Sequence, residues 1–280
     1  MNKLTKAGFA GLFLSLTAVL ASCGSSNETS SDTVAVTADV FPVTVGDLTL
    51  DAQPTRIISL SPTATEMLYA IGAGSQVVAV DEYSNYPAEA VALGTPLSGF
   101  EPNIEAISGY TPDLVIISYD PGSLVEQLST LDIPVFVAGA AMSIENVYEQ
   151  IEQLGVLTGN SQTAIEVSKT LQTGIEEAVA SVQFSEPPLS YYYELDNTYY
   201  SVTSNTFIGQ IFNLFGMRNI ADNVESGNDY PQLSAEVIVS SDPDFIFLAD
   251  TKCCAQDATT VAAGHRKLSR SAKTSSGSTA

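Results

Sequence analysis

One pattern of apolar and polar positions occurs twice along the chain, at residues 103–118 and 234–249. The two stretches read NIEAISGYTPDLVIIS and SAEVIVSSDPDFIFLA, and they align when one is shifted by 131 residues. Each begins with a residue that caps helices, continues for one or two helical turns, breaks at Pro-Asp, and ends in an apolar run too short for a helix. The pattern therefore predicts a short helix followed by a buried strand, formed twice.

The distance between the two copies indicates how the chain is organised. A helix followed by a buried strand is the unit of parallel α/β sheets, and one repetition at long range indicates two similar domains rather than a solenoid of close repeats. We therefore predict an α/β fold with two lobes and a cleft between them, where small ligands usually bind. Chance likeness between two amphipathic helix–strand units is the alternative.

The same pattern divides the rest of the chain. Strands are predicted at residues 56–60 and 77–80, with a helix between them that ends at Gly72. A later helix over residues 161–182, with Ser161 as its cap, is the candidate connection between the lobes. The predicted divisions are a signal peptide 1–22, a tether 23–42, a first lobe 43–142, a helical bridge 143–187, an incomplete second lobe 188–264 and a tail 265–280.

The N-terminus carries the pattern of an export signal. Lys3 and Lys6 precede an uncharged apolar run that is short for a bilayer span, and Leu-Ala-Ser-Cys follows at residues 20–23. This end resembles a bacterial lipobox, so Cys23 is the predicted lipidation site. An ordinary signal peptide with an incidental cysteine is the alternative. We expect an exported protein, lipid-anchored at the outer face of the cytoplasmic membrane or in the periplasm.

Charge and composition argue against several function classes. Removal of the signal leaves eight basic and 32 acidic side chains, a net charge of −24, so nucleic acid and anionic lipid headgroups are poor partners. The single histidine, His265, lies in the tail, and two cysteines remain besides Cys23. A histidine-rich metal site and a disulfide framework are therefore not expected. No catalytic residue and no resident cofactor are assigned.

The first lobe carries the motifs of a known family. Residues 56–87 read RIISLSPTATEMLYAIGAGSQVVAVDEYSNYP, and NIEAISGYTPDLVII follows at residues 103–117. With this order of strand, Ser-Pro, helix, strand and Tyr-Ser-x-Tyr-Pro, the chain resembles the substrate-binding proteins of ABC importers for ferric siderophores and vitamin B12. The resemblance runs from Pro54 to about Ala263. It implies two Rossmann-like lobes joined by a long helix, a ligand between them, and delivery to a membrane permease and its ATPase.

The resemblance also assigns two acidic residues. Glu105 and Glu236 occupy the same position in the two copies and match the family's paired carboxylates, which engage arginines of the permease. The alternative for each is a solvated glutamate in the first turn of a helix, where the helix dipole favours it. An exported hydrolase that uses both as acid and base needs the two carboxyls within about 10 Å of each other. A surface-binding lipoprotein without a transport role is the third possibility.

Aromatic residues are the candidate ligand contacts. Tyr83 matches a pocket residue of the cobalamin-binding members, and five tyrosines occur within ten positions at residues 191–200. Such side chains stack on a flat or greasy ligand and offer hydroxyl groups. The alternative for each is an ordinary core or surface position. The predicted contacts are Tyr83, Tyr86, Phe100, Tyr119, Tyr193 and Tyr199.

The charge of the predicted cleft bears on the ligand. The mature body through Gly264 contains four basic residues, and strongly anionic siderophores usually need Arg or Lys. A corrinoid or a neutral ferric hydroxamate therefore suits the tyrosines better. We expect a monomer that binds a metal chelate and performs no chemistry of its own.

The composition changes abruptly near the end of the chain. Residues 265–280 contain four of the ten basic side chains, the single histidine and no acid. In the first lobe the repeated strand is followed by a further helix and strand, but none is visible after the second copy. We therefore predict that the second lobe is truncated, that Phe245–Leu248 forms an exposed sheet edge, and that the tail is disordered.

Cys23→Ser is expected to move the protein from the membrane fraction to the soluble fraction, because a diacylglyceryl group at this residue is the predicted anchor. Fractionation of cells that express the full chain measures the change, with Cys254→Ser as the control. Retention of the Cys23→Ser protein in the membrane fraction contradicts the lipidation site.

Overall fold

The computed structural model describes residues 39–249, which form nine strands and eight helices. The strands are β1 (Val43–Val45), β2 (Leu48–Leu50), β3 (Ile57–Leu60), β4 (Val77–Val80), β5 (Leu114–Ile117), β6 (Val135–Val137), β7 (Ser190–Glu194), β8 (Arg218–Asn219) and β9 (Phe245–Leu248). The helices are α1 (Pro62–Ala70), α2 (Ala88–Val91), α3 (Ile104–Gly109), α4 (Leu124–Ser129), α5 (Ile144–Thr158), α6 (Ser161–Ala180), α7 (Phe207–Leu214) and α8 (Ala235–Ser241). The predicted signal peptide, Cys23 and the tail lie outside these residues.

The first parallel sheet contains four strands in the order β4-β3-β5-β6. Ile57 and Ile116 face one core, which α1, α5 and the β1–β2 hairpin close. Ile58 and Ile117 face a second core, which α3 and α4 close. Because helices cover both faces, the central strands β3 and β5 are continuous buried apolar runs apart from Ser59. We call this sheet with its helices the first half.

Two long helices follow the first sheet. Ser143 caps the start of α5, because its hydroxyl oxygen accepts a hydrogen bond from the N–H of Asn146 at 3.3 Å. Short polar side chains cap many helices in this way. The start of α6 differs from the prediction, because the carboxylate of Asp39, rather than the side chain of Ser161, supplies the capping acceptor. It accepts from the N–H of Ser161 at 3.0 Å. In the part of the chain described, none of the helices is long and apolar enough to cross a membrane.

A second parallel sheet repeats the strand order of the first. Its order β8-β7-β9 corresponds to β4-β3-β5. The helix–strand units predicted from the sequence are confirmed, since α3 leads into β5 and α8 leads into β9. The repeat is also longer than the sequence shows, because β3-α1-β4 corresponds to β7-α7-β8. We call β7, β8 and β9 with their helices the second half, and the protein is a mixed α/β protein with parallel sheets.

The Pro-Asp pair of the repeat ties neighbouring strands together in each half. Asp113, just before β5, accepts hydrogen bonds from the N–H groups of Thr55 and Arg56 at 2.8 Å each. Asp244, just before β9, accepts from the N–H of Ser190 at 2.7 Å and from its hydroxyl at 2.9 Å. Each aspartate therefore fixes the beginning of one strand against the beginning of its neighbour. We call these two residues the strand braces.

The outer strand β9 is less covered than its counterpart β5. Phe245 and Ile246 are exposed, whereas all four residues of β5 are buried. Among the described strands β9 lies at the end of its sheet. The residues that follow it lie outside the described part of the chain, so the predicted truncation and exposed edge stay predictions. An open apolar groove of about 260 Å³ lies where β9 begins. Its apolar walls are Val182, Phe184, Leu189, Phe215, Met217, Phe245 and Phe247.

Asp244→Asn is expected to lower the free energy of unfolding at pH 7, because an amide is a weaker acceptor than a carboxylate for the two Ser190 donors. Hydrogen bonds from the backbone and the hydroxyl of Ser190 hold the pKa of Asp244 below its ordinary value of 3.8. The folded chain therefore binds this proton less readily than the unfolded chain. The stabilisation is fully present above 3.8 and is lost as the pH falls through the lower folded pKa.

Urea unfolding of wild type and variant at pH 7 and at successive values below pH 4 measures this difference. Asp242→Asn is the matched control, since Asp242 is a neighbouring exposed carboxylate in a left-handed conformation that asparagine also adopts. Equal unfolding midpoints for wild type and Asp244→Asn at pH 7 would show that the brace does not stabilise the fold.

Candidate functional site

The carboxyl ends of β3, β4 and β5 meet at one edge of the first sheet, because parallel strands point the same way. Residues 81–87 follow β4 and carry Tyr83 and Tyr86; we call them the β4 loop. Residues 97–100 carry Phe100 and return across the end of β3; we call them the return segment. Tyr119 follows β5. The structure thus brings all four aromatic residues predicted in the first half to one edge.

Three of these aromatic side chains form one exposed cluster. The ring centroids of Tyr83 and Phe100 are 5.5 Å apart with the planes at 86°, and those of Phe100 and Tyr119 are 6.2 Å apart at 47°. Tyr83 is 56% exposed, Phe100 is 62% exposed and Tyr119 is 43% exposed. Rings in mutual contact that stay this exposed at the ends of parallel strands are typical of a binding surface. We call these three residues the aromatic cluster; Tyr86, on the same loop as Tyr83, is also exposed.

The two tyrosines predicted in the second half are engaged within that half. Tyr193 meets Phe212 edge-on, with ring centroids 6.0 Å apart. Tyr199 is half-buried against the core that contains Ile220 and Leu233. The structure does not bring either residue into the aromatic cluster, and their contact with a ligand stays a prediction.

Burial explains two of the other three tyrosines of residues 191–200; the third, Tyr200, is exposed. Tyr191 and Tyr192 are fully buried, on opposite faces of β7. Desolvation raises the pKa of Tyr191 to about 12 and raises the pKa of Tyr192 further, so both stay neutral at any physiological pH. Two of the five tyrosines of this stretch are therefore ordinary core residues, which was the alternative to ligand contact.

The paired glutamates occupy equivalent exposed places. Glu105 lies in the first turn of α3, where Asn103 accepts from the N–H three residues on at 2.9 Å. Glu236 lies in the first turn of α8, where Ser234 makes the corresponding bond at 3.3 Å. Since each helix leads from the carboxyl edge of its sheet back to the next strand, both glutamates lie at carboxyl edges.

The charge state of Glu236 limits its chemistry. Its own backbone N–H and then the hydroxyl of Ser234 donate to the carboxylate and hold the pKa of Glu236 below its ordinary value of 4.5. The side chain is therefore ionised at neutral pH. A general acid needs a raised pKa, so this carboxylate is better suited to a charge contact than to proton donation.

Cationic side chains are scarce in the part of the chain described. Its basic residues are Arg56, Lys169 and Arg218. Arg56 lies at the start of β3, the opposite edge from the aromatic cluster, and donates to backbone oxygens of Tyr110 and Thr111 at 2.6 and 3.1 Å. Across residues 39–249 no group of three or more His, Cys, Asp or Glu side chains is placed to hold a metal ion. The site offers aromatic faces and hydroxyls rather than cationic charge.

Sequence reasoning missed the polar residues beneath the aromatic cluster. Ser59, Thr65, Asp81 and Ser84 are buried and hydrogen-bonded to one another. Asp81 and Ser84 lie in a polar loop, where such residues are usually exposed to solvent, so the sequence carries no signal for the burial of these two. Only the fold brings the four residues together.

Comparisons with known proteins agree on one family. The profile of the family described as periplasmic binding protein matches residues 57–268. A cobalamin-binding protein of Halobacterium salinarum is 36% identical over 218 residues, which cover 74% of this chain and 58% of the relative. The chain thus spans less than two thirds of that relative's length.

Two further relatives cover more of their own length. An uncharacterized ABC transporter substrate-binding lipoprotein of Bacillus subtilis, YvrC, is 29% identical over 259 residues, or 88% of this chain and 81% of the relative. The crystal structure of the periplasmic vitamin B12 binding protein BtuF of Vibrio cholerae matches with a TM-score of 0.59 at 28% identity. That match covers 78% of this chain and 82% of the other.

Proposed function

Because the chain belongs to the periplasmic binding protein family, we propose that it is the extracytoplasmic solute-binding component of an ABC importer. The observation that carries the proposal is the aromatic cluster, three touching and exposed rings at the carboxyl edge of the first sheet. Ligands of open α/β sheets bind at that edge. The protein captures its ligand there and delivers it to the permease without changing it chemically.

The two halves are two lobes in this proposal, with α5 and α6 as their connection. The duplicated strand order supports it, because each half then presents the carboxyl edge of its sheet to a shared cleft. A hydrogen bond runs between the second half and the residues before α5: Nε2 of Gln210, on α7, donates to the backbone oxygen of Met142 at 3.0 Å. Tyr193 and Tyr199 are the proposed contacts from the second lobe.

The proposed ligand is a flat, largely uncharged metal chelate, with a corrinoid first and a neutral ferric hydroxamate second. Aromatic faces bind such molecules by stacking, and Arg56, the cation of the first sheet, is engaged with the backbone oxygen of Tyr110 at the opposite edge. The Halobacterium and Vibrio relatives are named for cobalamin and vitamin B12, which favours the corrinoid. The metal is part of the cargo.

Glu105 and Glu236 are the proposed docking carboxylates for the permease. Both are exposed in the first turn of equivalent helices, and the lowered pKa of Glu236 keeps that residue charged. Complementary charge fixes orientation and speeds association, which suits a protein that must dock and leave repeatedly. In the proposal, acylation of Cys23 keeps the exported protein near the permease. The lowered pKa of Glu236 makes this residue unsuited to the general-acid role in the alternative hydrolase.

Tyr83→Ala is expected to weaken ligand binding by about 1–3 kcal/mol, the usual loss for a stacked aromatic. Isothermal titration with cyanocobalamin and with a neutral ferric trihydroxamate measures the dissociation constants. Phe184→Ala is the control, because Phe184 is a similarly exposed ring at the groove where β9 begins. An unchanged constant would make Tyr83 an ordinary surface tyrosine, and a wild-type protein that binds neither compound contradicts the ligand class.

Joint replacement of Glu105 and Glu236 by alanine is expected to leave ligand affinity unchanged and to abolish stimulation of the ATPase of the reconstituted permease. The reason is that, in the proposal, these two exposed side chains contact the permease and not the ligand. Glu126→Ala with Glu145→Ala is the matched control, since these are also first-turn glutamates of two helices. The docking role is contradicted if the Glu105/Glu236 double variant loses ligand binding. It is also contradicted if that variant still stimulates the permease ATPase fully.

A further inference from the structure

A buried chain of polar side chains lies beneath the aromatic cluster. Ser84 Oγ donates to Asp81 Oδ1 at 2.5 Å, and Thr65 Oγ1 lies 2.9 Å from Ser84 Oγ. Thr65 Oγ1 also donates to Ser59 Oγ at 2.8 Å. None of the four side chains is more than 4% exposed. The chain of contacts therefore links strand β3 and helix α1 to the β4 loop.

Asp81 is the point at which the β4 loop and the return segment meet. Its backbone forms a bridge with Leu97, and the N–H of the next residue, Glu82, donates to the oxygen of Leu97 at 2.9 Å. A Cβ at Gly99 would come within 2.7 Å of the backbone oxygen of Leu60 and 3.6 Å of Asp81 Oδ2. The return segment thus lies directly against the end of β3 and the carboxyl group of Asp81.

Stability alone does not account for this arrangement. A buried carboxyl group and three buried hydroxyls give up contact with water, and apolar side chains would pack in the same place without that cost. A satisfied polar network does, however, restrict its members to one geometry. Here the two loops so restricted are those that carry Tyr83 and Phe100, whose rings meet at the surface.

We propose that Asp81 and Ser84 are positioning residues that set the aromatic cluster before a ligand arrives. The Asp81 carboxylate holds the β4 loop through Ser84. The β4 loop in turn holds the return segment through the backbone pairing of Asp81 and Glu82 with Leu97. Tyr83 and Phe100 are then presented together, so the ligand does not have to order them. This inference rests on the proposed function in one respect: it takes the aromatic cluster as the place where the ligand binds.

Hydrogen exchange of the ligand-free protein tests the coupling of the two loops. In Asp81→Ala, amides of both the β4 loop and the return segment are expected to exchange about tenfold faster, while the strands keep their protection. Asp81→Asn keeps an acceptor for Ser84 and is expected to restore slow exchange. Glu82→Ala, an exposed acidic neighbour, is the control. Faster exchange in the β4 loop alone, in neither loop, or throughout the chain overturns the proposal.

Ser84→Ala provides a second variant should Asp81→Ala not fold, because it removes the donor to Asp81 and leaves the carboxyl group in place. The same joint acceleration in the β4 loop and the return segment is expected. Normal exchange in both loops of Ser84→Ala would show that the side-chain contact does not hold them, and the proposal fails.

Titration with cyanocobalamin tests the consequence for binding. Asp81→Ala is expected to weaken binding about tenfold and Asp81→Asn to recover it. In a protein that already carries Tyr83→Ala and Phe100→Ala, adding Asp81→Ala is expected to cause no further loss, because Asp81 acts through those rings. A further loss there, or no loss in the single variant, overturns the positioning role.

The two proposals fail in different ways. A wild-type protein that binds neither cyanocobalamin nor a ferric trihydroxamate contradicts the proposed function. The exchange experiment needs no ligand, so joint acceleration of both loops in Asp81→Ala still supports the positioning role in that case.

Discussion

The register of the parallel strands is the constraint on which the rest of the structure depends. In the first half, each residue of β3 pairs with one of β5, from Ile57 with Leu114 to Leu60 with Ile117, and Asp113 fixes where that pairing begins. A slip of one residue would turn every side chain of a strand to the other face and would mix the two cores. It would also move the ends of the strands, and those ends carry the aromatic cluster. The strand braces at one edge of each sheet therefore determine what is presented at the other.

Local chemistry allowed much of this fold to be predicted from the sequence. Capping residues, the Pro-Asp breaks and the short apolar runs predicted α3, β5, α8 and β9, and Gly72, with φ of +85°, ends the first helix region as expected. What was missed depends on distant partners. The cap of α6 comes from Asp39, 122 positions away in the chain, and β8 contains only two residues. No local pattern carries either of these.

In the candidate site, too, features with a local sequence signal were predicted, and features that depend on distant contacts were not. A polar loop after a predicted strand is enough to nominate Tyr83, and the structure places Phe100 and Tyr119 beside it. In β7 the sequence is less informative, because alternation along a strand separates its faces but does not say which face is buried when helices cover both. The sequence therefore could not show that Tyr192 is fully buried while its neighbour Tyr193 is partly exposed. The buried Asp81 was beyond prediction, since its burial follows from the packing of two loops.

Charge alone does not distinguish Glu105 and Glu236 from the rest of the surface. The chain has 32 acidic side chains and a net charge of −22, so any arginine-bearing partner is attracted to much of it. Specific docking therefore requires a fixed spacing between particular carboxylates, which long-range attraction does not supply. The fold provides such fixed points, because both glutamates stand in the first turn of short capped helices that lead directly into braced strands. If the two glutamates dock on the permease as proposed, the repeated helix–strand unit serves packing and recognition through the same residues of the chain.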